Sequence, residues 1–160
     1  MKIKKRVAIA LLLVSFLWIL FIWGNSMQPG STSGSMSGSV TEKINEILKI
    51  FGADLSLPHL FIRKAAHFIE FAMLSFLLSF SFYCLLEIKL TDSLGRKALV
   101  LCSLPTSIAV ASIDESIQLF VDGRVGSVTD VMIDTSGAVL SSAMFFLALL
   151  FLGKLISKRK

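Results

Sequence analysis

The chain has 160 residues, 54% of them hydrophobic and 17% charged, with 13 Phe and a formal charge of +5. A soluble domain of this length carries about 25% charged residues, so disorder and an ordinary polar catalytic domain are both excluded. Two cysteines are too few for a disulfide-stapled secreted miniprotein.

The apolar residues are gathered into four runs. Residues 7–24 form the first, with Ser15 the polar side chain in its middle. Residues 65–86 form the second, residues 98–120 the third and residues 131–153 the fourth. A helix crosses the hydrocarbon of a bilayer with about 20 residues. No run has a polar face wide enough to meet water, which argues against a soluble bundle. The fold class is therefore all-α: an integral membrane protein of four transmembrane helices, with residues 1–160 as one domain. A cleaved leader is the rival reading of the first run. Against it stand Trp18 and Trp23, the length of the run, and the lack of an Ala-x-Ala site after it.

Basic residues set the orientation. Lys2, Lys4, Lys5 and Arg6, then Lys89, Arg96 and Lys97, then Lys154, Lys158, Arg159 and Lys160 fall on one side. That is eleven of the 16, so both termini are expected in the cytoplasm. The positive charge reads as membrane orientation. No Arg-rich patch with interleaved aromatics points to nucleic acid.

The connections carry their own signals. Residues 25–39 are rich in Ser and Gly with Pro29, and read as an exposed outer loop. Ser39 and Glu42 have capping-box spacing, which predicts a short amphipathic helix over residues 39–51. Val40, Ile44, Ile47, Leu48 and Phe51 lie on one face of it; Glu42, Lys43, Glu46 and Lys49 lie on the other. Such a helix lies on the outer membrane surface, caps the bundle, or is an ordinary loop helix, and the sequence does not separate these. Pro58 is expected to open the second long helix. Residues 87–97 read as a cytoplasmic turn broken at Gly95, and residues 121–130 as an outer turn with Gly123 and Gly126. Ser127 and Asp130 predict a helix start near Val128. Pro105 predicts a kink within the third helix. Cys84 and Cys102 read as buried thiols on the cytoplasmic side. Trp23 is expected to anchor the first helix at the outer interface.

The polar residues of the spans converge. With alternating helix directions, Arg63, Lys64, His67 and Glu70 sit at the outer end of the second span. Asp114, Glu115 and Gln118 sit at the outer end of the third, and Asp130 and Asp134 at that of the fourth. Arg124 lies in the turn between the last two. At 1.5 Å per residue, the acids enter one layer about 6–9 Å below the interface. Arg63, His67 and Glu70 share a stripe, as do Asp114 with Gln118 and Asp130 with Asp134 and Gly137. Glu115 is rotated by about 100° from Asp114. Gly137 is expected to admit a neighbouring helix closely.

Ionisable groups at this depth usually face a bundle interior or a cavity. One reading is a structural ion-pair network. A second is a recognition or catalytic pocket. There Arg63 and Arg124 grip a phosphate or carboxylate, and His67 acts as base or acid beside Glu70 or Asp114. Under this reading His67, Glu70, Asp114 and Asp134 are the candidate catalytic residues. Arg63, Glu115, Gln118, Arg124 and Asp130 are the candidate binding residues. The substrate is an outer-leaflet lipid, a lipid-linked envelope precursor or an amphiphile. A third reading, a divalent metal on His67 with Glu70, Asp114 or Asp134, matches no sharp spacing motif. No metal or cofactor is assigned on it. Ion transport finds no relay across the cytoplasmic halves, which offer mainly Ser79, Ser81, Tyr83 and Ser103.

Arg63-Lys64-Ala65-Ala66-His67-Phe68-Ile69-Glu70-Phe71 resembles the first signature of VanZ-like membrane proteins. Asp114-Glu115-Ser116-Ile117-Gln118-Leu119-Phe120, then Gly123-Arg124-Val125-Gly126-Ser127 and Asp130, is similar to the second. Asp134-Thr135-Ser136-Gly137 resembles its continuation, and Ser26 with Pro29 the family's Ser-rich segment. In many relatives a Pro precedes the Gly-Arg step; Val121-Asp122 stand there here. The resemblance covers nearly the whole chain. It implies a bacterial plasma-membrane protein with a link to the cell envelope. The family's named function is raised resistance to the glycopeptide teicoplanin. The resemblance also implies functional roles for Arg63, His67, Glu70, Asp114, Glu115, Gln118, Arg124, Asp130 and Asp134.

Overall fold

A chain whose backbone polar groups must be satisfied away from water folds as helix within each apolar run. The computed structural model describes residues 2–52, 55–86 and 99–157, and those residues form helices and short connections with no strand. Helix α1 spans Lys2–Ser26, α2 Gly30–Ile50, α3 His59–Leu86, α4 Ser103–Gln118 and α5 Val128–Ser157. A 3-10 turn over Leu99–Cys102 leads into α4. Four stretches are long and apolar enough to cross a membrane: Lys5–Ser26, His59–Leu85, Val100–Gln118 and Val128–Leu155. The second begins earlier than its apolar run because the Pro58 carbonyl accepts from the N–H groups of Phe61 and Ile62 and starts the helix at His59. The expected turn at residues 87–97 lies outside the described residues.

Helices α1 and α4 run in one direction, α3 and α5 in the other. The C-terminal ends of α1 and α4 therefore meet the N-terminal ends of α3 and α5 at one end of the bundle, its polar end. Leu13, Phe16, Leu17, Leu147 and Phe151 are each more than half exposed. A surface of that kind, on helices long and apolar enough to cross a membrane, suits contact with lipid. The core is small: Ile22, Phe71, Leu74, Leu78, Val110 and Ala111. Trp18 and Trp23 pack against it. Their indole N–H groups donate to the Glu70 carbonyl at 3.0 Å and the Val110 carbonyl at 3.4 Å. Trp23 thus turns inward and ties α1 to α4, where an interfacial anchor was expected.

Close helix contact uses small residues. At Gly137 an added Cβ would lie 2.2 Å from the Phe68 carbonyl oxygen, so α3 and α5 touch backbone to side-chain-free backbone as expected. Further along, Ser75, Ser79, Ser103 and Ser142 form a fully buried hydroxyl layer joining α3, α4 and α5. Its contacts are Ser75–Ser142 at 2.6 Å, Ser103–Ser142 at 2.8 Å, Ser79–Ser103 at 3.0 Å and Ser75–Ser103 at 3.2 Å.

Three local expectations are corrected. The Ser/Gly-rich segment is helical from Gly30, so residues 30–39 are not a loop and Ser39 does not cap a helix. Tertiary anchors override weak propensity here. The Gly30 N–H donates to the Asp122 carbonyl at 2.9 Å, and the hydroxyls of Ser37, Ser39 and Thr41 donate to carbonyls one turn back. His59 Nε2 lies 2.6 Å from Ser37 Oγ, and the Leu57 N–H donates to Asn45 Oδ1 at 2.8 Å, fastening α2 along its length. Pro105 stands in the first turn of α4, where its missing N–H costs little. The irregularity it was expected to cause is the 3-10 turn just before it. Cys84 is buried as expected, but Cys102 is exposed.

Candidate functional site

The polar end is built by four helices and one turn. Its floor is the apolar layer of Phe71, Leu74, Val110 and Ala111. Helix α4 delivers Asp114, Glu115 and Gln118, all buried. Adjacent residues on a helix normally diverge, yet both acids are held inside because α1 and the turn before α5 pack on either side of α4. The Ser26 hydroxyl, in the last residue of α1, donates to Asp114 Oδ2 at 2.8 Å. The Ser127 N–H donates to Glu115 Oε2 at 2.8 Å. Gln118 Nε2 reaches both acids, Asp114 Oδ2 at 3.2 Å and Glu115 Oε1 at 3.1 Å.

Helix α5 begins at Val128 as predicted, with the Ser127 hydroxyl accepting from the Thr129 N–H at 3.1 Å. The reciprocal half of the expected capping box is absent. Glu115 takes the Ser127 N–H, and Asp130 instead accepts from Lys64 Nζ at 2.7 Å. One turn further, Asp134 is fully buried, and His67 Nδ1 on α3 lies 3.8 Å from its Oδ1. His67 Nδ1, Asp114 Oδ1 and both Asp134 oxygens are buried without a hydrogen-bond partner. One side-chain atom from each of His67, Asp114, Glu115 and Asp134 lies within 4.8 Å of the others.

Two clefts open onto this cluster. One, of about 250 Å³, is bordered by Arg63, Lys64, His67, Ser127, Asp130 and Asp134. The other, of about 270 Å³, is bordered by Ser26, Gln28, Arg63, His67, Glu70 and Arg124. Arg63 and His67 line both. Among the described residues, Arg63 makes no hydrogen bond or ion pair within reach, and Lys64–Asp130 is the only lysine or arginine ion pair.

Every candidate residue therefore lies at the polar end, but in separate roles. His67, Asp114, Glu115 and Asp134 come together. Glu70 stands apart from them, its side chain in the second cleft and its carbonyl holding Trp18. Asp130 is engaged by Lys64. Arg124 donates through Nε to the Gln28 carbonyl at 3.1 Å and through Nη2 to the Asn25 carbonyl at 2.9 Å. It closes the C-terminal end of α1 rather than standing free. Burial and the nearby charge of Arg63 lower the Arg124 guanidinium from its usual value, and the negative charges of Asp114 and Glu115 oppose that shift. The residues not singled out by spacing are Ser26, the partner of Asp114, and Lys64, the partner of Asp130. Ser26 sits 88 positions from Asp114, so no local pattern announces the contact.

No curated protein and no solved structure matches the chain. A family model described as VanZ/LLP1 matches residues 11–151, which contain every residue of both clefts and of the buried cluster. The chain belongs to the VanZ-like family of membrane proteins.

Proposed function

We propose that this is a cell-envelope protein of the bacterial plasma membrane, with both termini cytoplasmic and the polar end facing outward. There it binds the anionic headgroup of an outer-leaflet lipid or lipid-linked precursor. The observation that carries this reading is Arg63. A guanidinium bordering two clefts at the end of a membrane bundle, with no hydrogen bond or ion pair among the described residues, is a ready site for phosphate or carboxylate. The distribution of Lys and Arg supports the orientation. The exposed apolar residues Ile47, Ile50 and Phe51 suit α2 to the outer membrane surface. A purely structural ion-pair network is the poorer account. Lys64–Asp130 is such a pair, but among the described residues none of the buried acids forms an ion pair with a lysine or arginine.

The test is lipid binding by the purified chain in detergent, with phosphatidylglycerol against phosphatidylcholine. The expected result is a preference for phosphatidylglycerol that Arg63→Gln weakens about tenfold, with Lys43→Gln on α2 unchanged. Equal binding of both lipids, or a preference that survives Arg63→Gln, overturns the reading. In cells, the same variant is expected to remove any protection against a lipidated glycopeptide. A second reading has His67 and Asp134 act as an acid–base pair on the bound headgroup; their 3.8 Å separation favours it. Its signature is hydrolysis of the bound lipid, lost in Asp134→Asn: water attacks the headgroup phosphorus, the pair takes the water's proton, and the phosphoester oxygen leaves as a protonated alcohol.

A further inference from the structure

We propose that His67, Asp114, Glu115 and Asp134 form a binding site for one divalent metal ion of the hard-to-borderline class, such as zinc or manganese. The site is defined by these four side chains and does not require a bound lipid.

The first ground is convergence. Three helices, α3, α4 and α5, bring one imidazole nitrogen and three carboxylate oxygens within 4.8 Å of one another. At bond lengths of about 2.0–2.2 Å, the ligand atoms of a tetrahedral zinc site lie about 3.4 Å apart. A contraction of up to about 1.4 Å between the ligand atoms, taken up by rotation of the side chains, closes the set around an ion.

The second ground is which atoms are satisfied. Asp114 is fixed at Oδ2 by Ser26 and Gln118, while Oδ1 is bare. Glu115 is fixed at Oε2 by the Ser127 N–H and at Oε1 by Gln118. Both oxygens of Asp134 and Nδ1 of His67 are bare and buried, and Asp134 and Asp114 have no exposed surface at all. A carboxylate oriented through one oxygen and open at the other is the pattern that metal ligands show, because outer hydrogen bonds hold them in place. Burying carboxylates with open lone pairs is costly unless a cation or donor meets them.

The third ground is that the neighbouring cations do not meet them. Lys64 is committed to Asp130, and Arg124 to the carbonyls of Asn25 and Gln28. Among the described residues, Arg63 borders the clefts without pairing to an acid. A dication would neutralise two of the three charges, and Arg63 and Arg124 lie close enough to temper the third. The donor set selects the class of ion. Imidazole favours zinc and iron, carboxylates favour manganese and magnesium, and the absence of thiolate disfavours soft ions. Asp114 and Glu115 are neighbours on α4, but His67 and Asp134 come from distant parts of the chain, which is why no short motif in the sequence announces the set.

The test uses the full chain in detergent, stripped of metal with a chelator and dialysed against zinc or manganese, each alone. The expected result is one ion bound per chain, and a rise in thermal midpoint on adding metal, since an ion that binds the folded state stabilises it. Asp134→Asn is expected to weaken binding at least tenfold and to abolish the thermal rise, while the exposed Glu42→Gln on α2 changes neither. Removing a buried, bare carboxylate should leave the metal-free fold intact, which circular dichroism verifies. Failure of both ions to bind overturns the proposal. So does stoichiometric binding that Asp134→Asn leaves unchanged. Arg63→Gln is expected to retain the metal while losing phosphatidylglycerol, so the failure of one reading is distinguishable from the failure of the other.

Discussion

The hydroxyl of Ser26 and the carboxylate of Asp114 are joined by a hydrogen bond of 2.8 Å, with both side chains buried. The contact fastens the last residue of α1 to the acid layer of α4. Ser26→Ala removes one of the two donors that hold Asp114 Oδ2. Leaving a buried acceptor short of a partner costs about 1–3 kcal/mol. Denaturant titration in detergent should show that loss. Ser35→Ala, whose hydroxyl bonds locally on exposed α2, should stay within about 0.5 kcal/mol of the unaltered chain.

Gly137→Ala is expected to destabilise more sharply than its size suggests. Its Cβ would meet the Phe68 carbonyl oxygen at 2.2 Å, and that atom is backbone of a packed helix. Forcing an extra methyl into such a contact costs about 1–3 kcal/mol. Gly24→Ala is the matched control, since nothing lies within 4 Å of its Cβ position. It should raise stability by about 0.5–1 kcal/mol through the lost flexibility of glycine. Thermal midpoints of the two variants should therefore move in opposite directions.

Arg124→Lys keeps the charge but loses the fork. An ammonium cannot span the Asn25 and Gln28 carbonyls as Nη2 and Nε do. About 1–3 kcal/mol of local stability should be lost. Hydrogen exchange is the direct measurement: the N–H groups of Met27, Gln28 and Gly30 should exchange faster in the variant, with those of α5 little changed.

The hydroxyl layer should behave as modest glue. Ser142 contacts Ser75 and Ser103, and side-chain hydrogen bonds between membrane helices average about 0.6 kcal/mol each. Ser142→Ala is therefore expected to cost about 1 kcal/mol by that measure. Ser142→Leu should cost more, by about 1–3 kcal/mol, because the layer has no room for a large side chain. Unfolding of both variants in mixed micelles ranks them.

The four spans were legible in the sequence because lipid solvation leaves long uninterrupted apolar runs, and the acid layer was legible because charges within such runs are rare. Gly137 was readable for the same reason: it shares a stripe with Asp130 and Asp134. What eluded the sequence was set by contacts between distant segments. Nothing near Gly30 shows that its N–H would find Asp122, so a Ser/Gly-rich stretch read as loop became helix. The inward turn of Glu115 depends on the Ser127 N–H, and the commitment of Arg124 depends on where α1 ends. Spacing gave the stripes on each helix; it could not divide the polar residues into a buried four-residue cluster, an ion pair and an open arginine.

The placement of Asp134 on α5 also bears on biosynthesis. Synthesis delivers α1 and α3 first, then α4, whose span is the least apolar of the four and carries both Asp114 and Glu115 at its end. A translocon must pass that weak segment into lipid before α5 exists to cover it. Ser26 is already in place to receive Asp114, but the imidazole, the glutamate and the two aspartates meet only after α5 enters. Completion of the polar end thus coincides with arrival of the final helix, since Asp134 is the last of the four cluster residues to be synthesised.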